Sequence, residues 1–161
     1  MYRRMIWFVC VVLLSLSMIA CSEKKETAAP SAVPLQVFKQ EITSPAPLQT
    51  LKVNEKATMK VTVKNIGNEP WPCKGIDAQG VNRVGLGSHW LDNNGKIVEP
   101  QGRALLPNDL MPGTSVTLEA IVQAPPKPGD YTLRFSMVQE NVAWFNDKGA
   151  EPLIVKVKVK P

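Results

Sequence analysis

Residues 85–96, GLGSHWLDNNGK, gather the side chains best suited to chemistry in this 161-residue chain. They hold its only histidine, His89, beside Ser88, with Asp92 three residues on and glycines at 85 and 87. Each chemistry these types suggest lacks a part. Gly85-Leu86-Gly87-Ser88-His89 is not the GxSxG of a nucleophile elbow. A dinucleotide loop needs a third glycine and a following helix. Asp92-Asn93-Asn94-Gly95 opens like a calcium loop, but its glycine comes two places early and Lys96 stands at position five. Zinc needs several Cys or His ligands. In a Ser-His-Asp triad the histidine bridges the other two, and on a regular strand residues 89 and 92 face opposite sides.

The same stretch reads better as a strand and a turn. Val84, Leu86 and Trp90 share one parity, the inward face of a strand. Asn93-Asn94-Gly95 supplies the positive-φ positions of a tight hairpin, and Lys96-Ile97-Val98 begins the return strand.

Other segments alternate in the same way. LQVFKQ (35–40) is a candidate first strand, ended by the proline-broken TSPAP. In 57–65, Met59, Val61 and Val63 point one way and Thr58, Lys60, Thr62 and Lys64 the other. In 115–123, Val116, Leu118, Ala120 and Val122 share a face; in 130–139, Tyr131, Leu133, Phe135 and Met137 do. In 152–160, Leu153, Val155, Val157 and Val159 oppose Ile154, Lys156, Lys158 and Lys160. Fourteen prolines and ten glycines, with turn signals at Pro112-Gly113 and Pro128-Gly129-Asp130, argue against a helical bundle. No segment keeps a helical period. The expected fold is all-β: an immunoglobulin-like antiparallel sandwich of about seven to nine strands over residues 35–161. Tyr131, directly after the Pro-Gly-Asp turn, suits a tyrosine at an inter-sheet corner.

The N-terminus is of another kind. Tyr2-Arg3-Arg4 precedes an apolar run from Met5 to Ala20. As a helix that run is about 24 Å long, short of the ~30 Å hydrocarbon core. A basic head, a short apolar core and a small residue at the break describe a secretory signal peptide over residues 1–20. Ser17-Met18-Ile19-Ala20-Cys21 resembles a bacterial lipobox, although Met18 replaces the usual leucine. The resemblance implies a diacylglycerol thioether on Cys21, cleavage before it and acylation of the new amine. No other cofactor is implied. An uncleaved anchor and an ordinary cleaved peptide are the alternatives. Ser22 resembles the residue found in lipoproteins sorted to the outer membrane, which implies a bacterial cell-envelope location. Residues 21–34 then form a lipidated flexible tether, too poor in apolar surface to order.

Removing Arg3 and Arg4 lowers the net charge from +5 to +3, which does not call for nucleic acid as a partner. Cys10 leaves with the signal and Cys21 carries lipid, so Cys73 has no internal disulfide partner. It is either an inert thiol or a link to another molecule.

VTVKNIGNEPWP (61–72), LGSHWLDNNGKIV (86–98) and residues 105–145 together resemble Ig-like domains found beside bacterial glycosyltransferases and other surface-polysaccharide proteins. More distantly, they resemble the four-tryptophan Ig-like domain called FW. The resemblance implies an accessory domain, and neither catalytic nor metal-ligating residues are expected. Trp71, Trp90 and Trp144 either stack on sugars or fill the core. Trp90 and Trp144 are read as core, and Trp71 and Phe145 as the rings that meet a ligand. Lys156, Lys158 and Lys160 form a basic stripe: a solvated face, a protected edge, or a contact for phosphate-bearing envelope polymers. The expected function is a non-catalytic binding or scaffolding module, held to a membrane by lipid, for an envelope protein or a surface polysaccharide. The alternatives are a small hydrolase built on Asp92, Asp109 and Glu140, and a purely structural lipoprotein.

Overall fold

The structure, a computed structural model, describes residues 37–161. The expected signal segment, Cys21 and the expected tether, all within residues 1–36, lie outside the described residues. Among the described residues, nine strands form two sheets. β1 (Gln40–Thr43), β3 (Lys56–Asn65) and β6 (Ser115–Gln123) make the smaller sheet, in the order β1-β3-β6. The larger sheet runs β2 (Thr50–Lys52), β9 (Leu153–Lys160), β7 (Gly129–Gln139), β4 (Val84–Leu91), β5 (Ile97–Leu105). A two-residue strand, β8 (Ala143–Trp144), pairs with the end of β7, and a short 3₁₀ turn, Asn146–Lys148, follows it. This is the immunoglobulin-like sandwich the alternation predicts.

The predicted inward residues form the core. Met59, Val61, Val63, Leu118, Ala120, Val122, Leu133, Phe135, Met137, Val155, Val157 and Val159 are all buried. The first strand differs from expectation: pairing begins only at Gln40, against Asn65, and residues 37–39 are not strand. After the proline break the chain changes sheets, because β2 pairs parallel with β9 (Leu51 opposite Val159). Period-2 patterning cannot mark a three-residue strand such as β2, nor β8.

Polar side chains join the layers where the ladders stop. Above the last β7–β9 pair, Phe135–Leu153, the Gln40 amide serves the exposed backbone instead. Its Oε1 accepts from Met137 N at 2.8 Å and its Nε2 donates to Glu151 O at 2.9 Å. Asn65, fully buried, organises two loops. Its Nδ2 donates to Glu69 O and Leu110 O, and its Oδ1 accepts from Gly67 N. A buried amide must be satisfied in this way, which accounts for asparagine in the NIGNEPWP segment. At the far end, the Tyr131 hydroxyl donates to Lys127 O at 3.1 Å across the Pro-Gly-Asp turn, the expected tyrosine corner.

Candidate functional site

Two expected ligand-binding rings are core residues. Trp71 and Phe145 are both fully buried and meet edge to face, with centroids 5.2 Å apart. Trp71 is fixed by a two-way backbone bridge to Leu110, and its Nε1 donates to Val37 O at 3.1 Å. A ring without exposed surface offers no stacking face, so the expectation for both is corrected. The flanking prolines made Trp71 look like a loop tip. In fact this loop folds inward on Asn65. Trp90 is core, as expected.

Trp144, read from sequence as core, is the tryptophan that reaches the surface among the described residues. The turn from β7 to β8 is tight: Asn141 has φ 60° and Val142 N donates to Gln139 O. Pairing Trp144 opposite Val138 turns its side chain to the outer face of the larger sheet. Phe145, next in line, then points inward. The two neighbours therefore exchange the roles expected of them.

The Trp144 ring lies across β4 at Gly87. A Cβ built on Gly87 would fall 2.3 Å from the ring, so only glycine leaves room for it. His89, two residues along β4, meets the ring with centroids 4.1 Å apart, and the Arg103 guanidinium from β5 lies 4.5 Å from its centroid. Arg103 Nε also donates to Glu140 Oε1 at 3.1 Å. Exposed cation–π contacts and half-exposed ion pairs each contribute up to roughly 1 kcal/mol. A shallow cleft beside this group is lined by Arg103, Val138, Glu140, Val142 and Trp144.

His89 is held neutral. Burial is the first cause of its lowered pKa, and the Arg134 charge the second. Arg134 Nη2 lies 3.3 Å from His89 Nδ1, and His89 Nε2 lies 3.1 Å from Gln101 Oε1. A guanidinium only donates, so Nδ1 must accept and Nε2–H must donate to Gln101. One imidazole face is thus used for packing and both nitrogens for hydrogen bonds.

The loop carboxylates do not converge. Asp92 Oδ1 accepts from the amides of Asn94 and Lys96 and shapes the β4–β5 hairpin, whose Gly95 has φ 76°. Glu140 lies beyond the opposite end of β4, beside Arg83, about 30 Å away at 3.3 Å per residue. Asp109 accepts from Cys73 N at 2.8 Å, and this bond holds its carboxyl below the usual range. The same carboxylate, through a hydrogen bond from the thiol, pushes the Cys73 thiol up. Among the described residues, no group of three or more His, Cys, Asp or Glu is placed to hold a metal ion. The basic stripe does not guard a free edge at its end, because β2 covers β9 from Lys158 to Lys160.

Residues 44–159 match the family described as the Ig-like domain from next to BRCA1 gene. The chain belongs to that family. As a member of this Ig-like family it is a binding or structural module, a class of domain that is typically non-catalytic. No curated protein matches the chain. Among solved structures, the CARDB domain of a Pyrococcus furiosus protein, in complex with di-metal ions, is 20 % identical. That match covers 75 % of this chain and 90 % of the CARDB chain, with a TM-score of 0.43. A β-glucosidase from Listeria innocua in complex with glucose is 14 % identical over 76 % of this chain, with a TM-score of 0.46. The matched part is only 16 % of that enzyme.

Proposed function

We propose that the chain is a lipid-anchored protein of a bacterial cell envelope whose Ig-like domain captures an envelope partner, protein or surface polysaccharide, without catalysis. The observation that carries the binding part is the half-buried Trp144–Arg103–Glu140 group at the cleft on the larger sheet. Tryptophan and arginine are the residue types that dominate interface energies. Here they stand on strands, held by His89 and Gly87, beside an exposed Val142. The anchoring part rests on the lipobox-like Ser17-Met18-Ile19-Ala20-Cys21. Two or three acyl chains, at about 0.8 kcal/mol for each buried CH₂, hold a protein to a bilayer almost permanently.

Capture from detergent-solubilised envelopes tests the binding part. The natural domain should retain a saturable partner that the Trp144→Ala protein loses. A partner held equally by both would move the binding site away from Trp144, and no partner at all would leave a purely structural lipoprotein as the better reading. Intact mass of the mature protein tests the anchor. An unmodified Cys21, or a chain still beginning at Met1, removes it.

A further inference from the structure

Away from Trp144, the same outer face carries most of the domain's uncompensated charge. β9 turns Ile154, Lys156, Lys158 and Lys160 outward. Register places Arg134 and Thr132 of β7 beside Ile154 and Lys156, and Lys52 of β2 beside Lys160. Five cations, Lys52, Arg134, Lys156, Lys158 and Lys160, therefore share one corner of one sheet. The carboxylates there are Asp130, 3.9 Å from Lys158, Glu55 at the rim, which accepts from Lys52 N, and Asp147, whose charge acts on the His89 ring that Arg134 contacts. Among the described residues, Lys52, Arg134, Lys156 and Lys160 have no ion-pair partner. Arg134 donates to a neutral imidazole, and Lys156 to the Thr132 hydroxyl at 2.7 Å.

The charge count shows how local this is. Residues 37–161 contain fifteen Lys and Arg against twelve Asp and Glu. The corner holds five cations against three carboxylates, which leaves ten cations and nine carboxylates elsewhere. Most of the side-chain excess of +3 therefore sits on this corner. Exposed Ile154 stands in the row of Arg134, and a shallow depression lined by Gln49, Asn93, Asp130, Thr132, Lys156 and Lys158 lies beside it. A surface with alternating cations, hydroxyls and an exposed isoleucine, and without a deep pocket, fits many weak phosphate contacts over an area.

We infer that this corner docks on the phosphate headgroups of an anionic bilayer, the membrane to which Cys21 is proposed to be tied. The inference rests on the anchoring reading for its choice of occupant. Fifteen residues separate Cys21 from Val37, and a chain of that length spans at most about 50 Å. The bilayer is then the largest anionic surface within reach. Each lysine near such a surface strengthens binding roughly fivefold. The corner would lay the sandwich on its side against the membrane and leave the Trp144 cleft at one edge of the contact.

The test uses residues 21–161 with Cys21→Ser, which keep every described residue and carry no lipid, so the anchor is not being measured. Sedimentation with phosphatidylcholine vesicles is compared with vesicles containing phosphatidylglycerol, at low and physiological salt. The expected result is binding to the anionic vesicles alone, weakening with salt. Replacing Lys156, Lys158 and Lys160 together by Gln should weaken it on the order of a hundredfold, while circular dichroism shows the fold intact. Equal sedimentation with both lipids, none with either, or binding that survives the triple change would overturn the proposal. So would retention on an acidic polysaccharide such as polygalacturonate without retention on vesicles. A failure here with a lipidated mass at Cys21 would leave the anchor standing.

Discussion

The Trp144 indole occupies the space a side chain at Gly87 would fill, with Cη2 only 2.3 Å from a Cβ built there. That one contact ties β8 to β4 over the intervening β7 and holds the cleft open beside Arg103. Gly87→Ala should push the ring off the sheet. Crowding of this sort costs roughly 1–3 kcal/mol. Urea unfolding should show a lowered midpoint with an unchanged slope, and native tryptophan emission should shift to the red. An unaltered midpoint and spectrum would mean that the ring does not rest there.

Trp71→Ala and Phe145→Ala should each cost about 3–5 kcal/mol, the range for an aromatic removed from a core. Partner capture would then fall only with the folded fraction. The check is urea unfolding beside capture by the protein that remains folded. A stable Trp71→Ala domain that fails to bind would return the ring to the binding site.

His89 should make stability pH-dependent. Its folded pKa lies below the ordinary value of about 6.5, because burial and Arg134 disfavour the imidazolium. The unfolded chain therefore takes up the proton first as pH falls. The contribution is fully present above about pH 6.5, declines as pH drops below it, and levels off once the folded form is protonated too. Protonation also sets an N–H against Arg134, with Arg103 near and Asp147 partly compensating. Thermal unfolding at stepped pH values, compared with His89→Gln, should show a slope in that window only for the natural protein. A slope that persists in His89→Gln would assign it elsewhere.

The thiol of Cys73 should alkylate slowly. The Asp109 carboxylate accepts its hydrogen bond and disfavours the thiolate. Asp109→Asn keeps an oxygen for Cys73 N and removes the charge. Iodoacetamide labelling at pH 8 should then be faster in Asp109→Asn than in the natural protein. A slower or unchanged rate would show that the carboxylate does not govern the thiol.

Long strands with one buried face were plain in the sequence. β3, β6, β7 and β9 alternate over eight residues or more, and burial of Val61, Leu118, Phe135 and Val157 follows the parity. The hairpin of GLGSHWLDNNGK was also legible, but of Asn93-Asn94-Gly95 only Gly95 takes a positive φ, and the Asp92 carboxylate shapes the rest of the turn. The aromatic roles were not. Whether Trp71 or Trp144 reaches solvent depends on where Asn65 and Leu110 hold one loop and where a two-residue strand sets another. Local parity carries no such information. A sign was nevertheless present in Gly87: a glycine inside a strand can mark the seat of a distant side chain. The charge corner was half legible, as the lysine stripe of β9. Arg134 and Lys52 join it only through register.

The binding account is tested most directly by a photo-crosslinker at position 142, beside Trp144, in intact cells that produce the protein. The account predicts one saturable crosslinked species, identified by mass, that Trp144→Ala abolishes while the domain stays folded. Absence of any crosslinked species, or one that Trp144→Ala leaves unchanged, would contradict it.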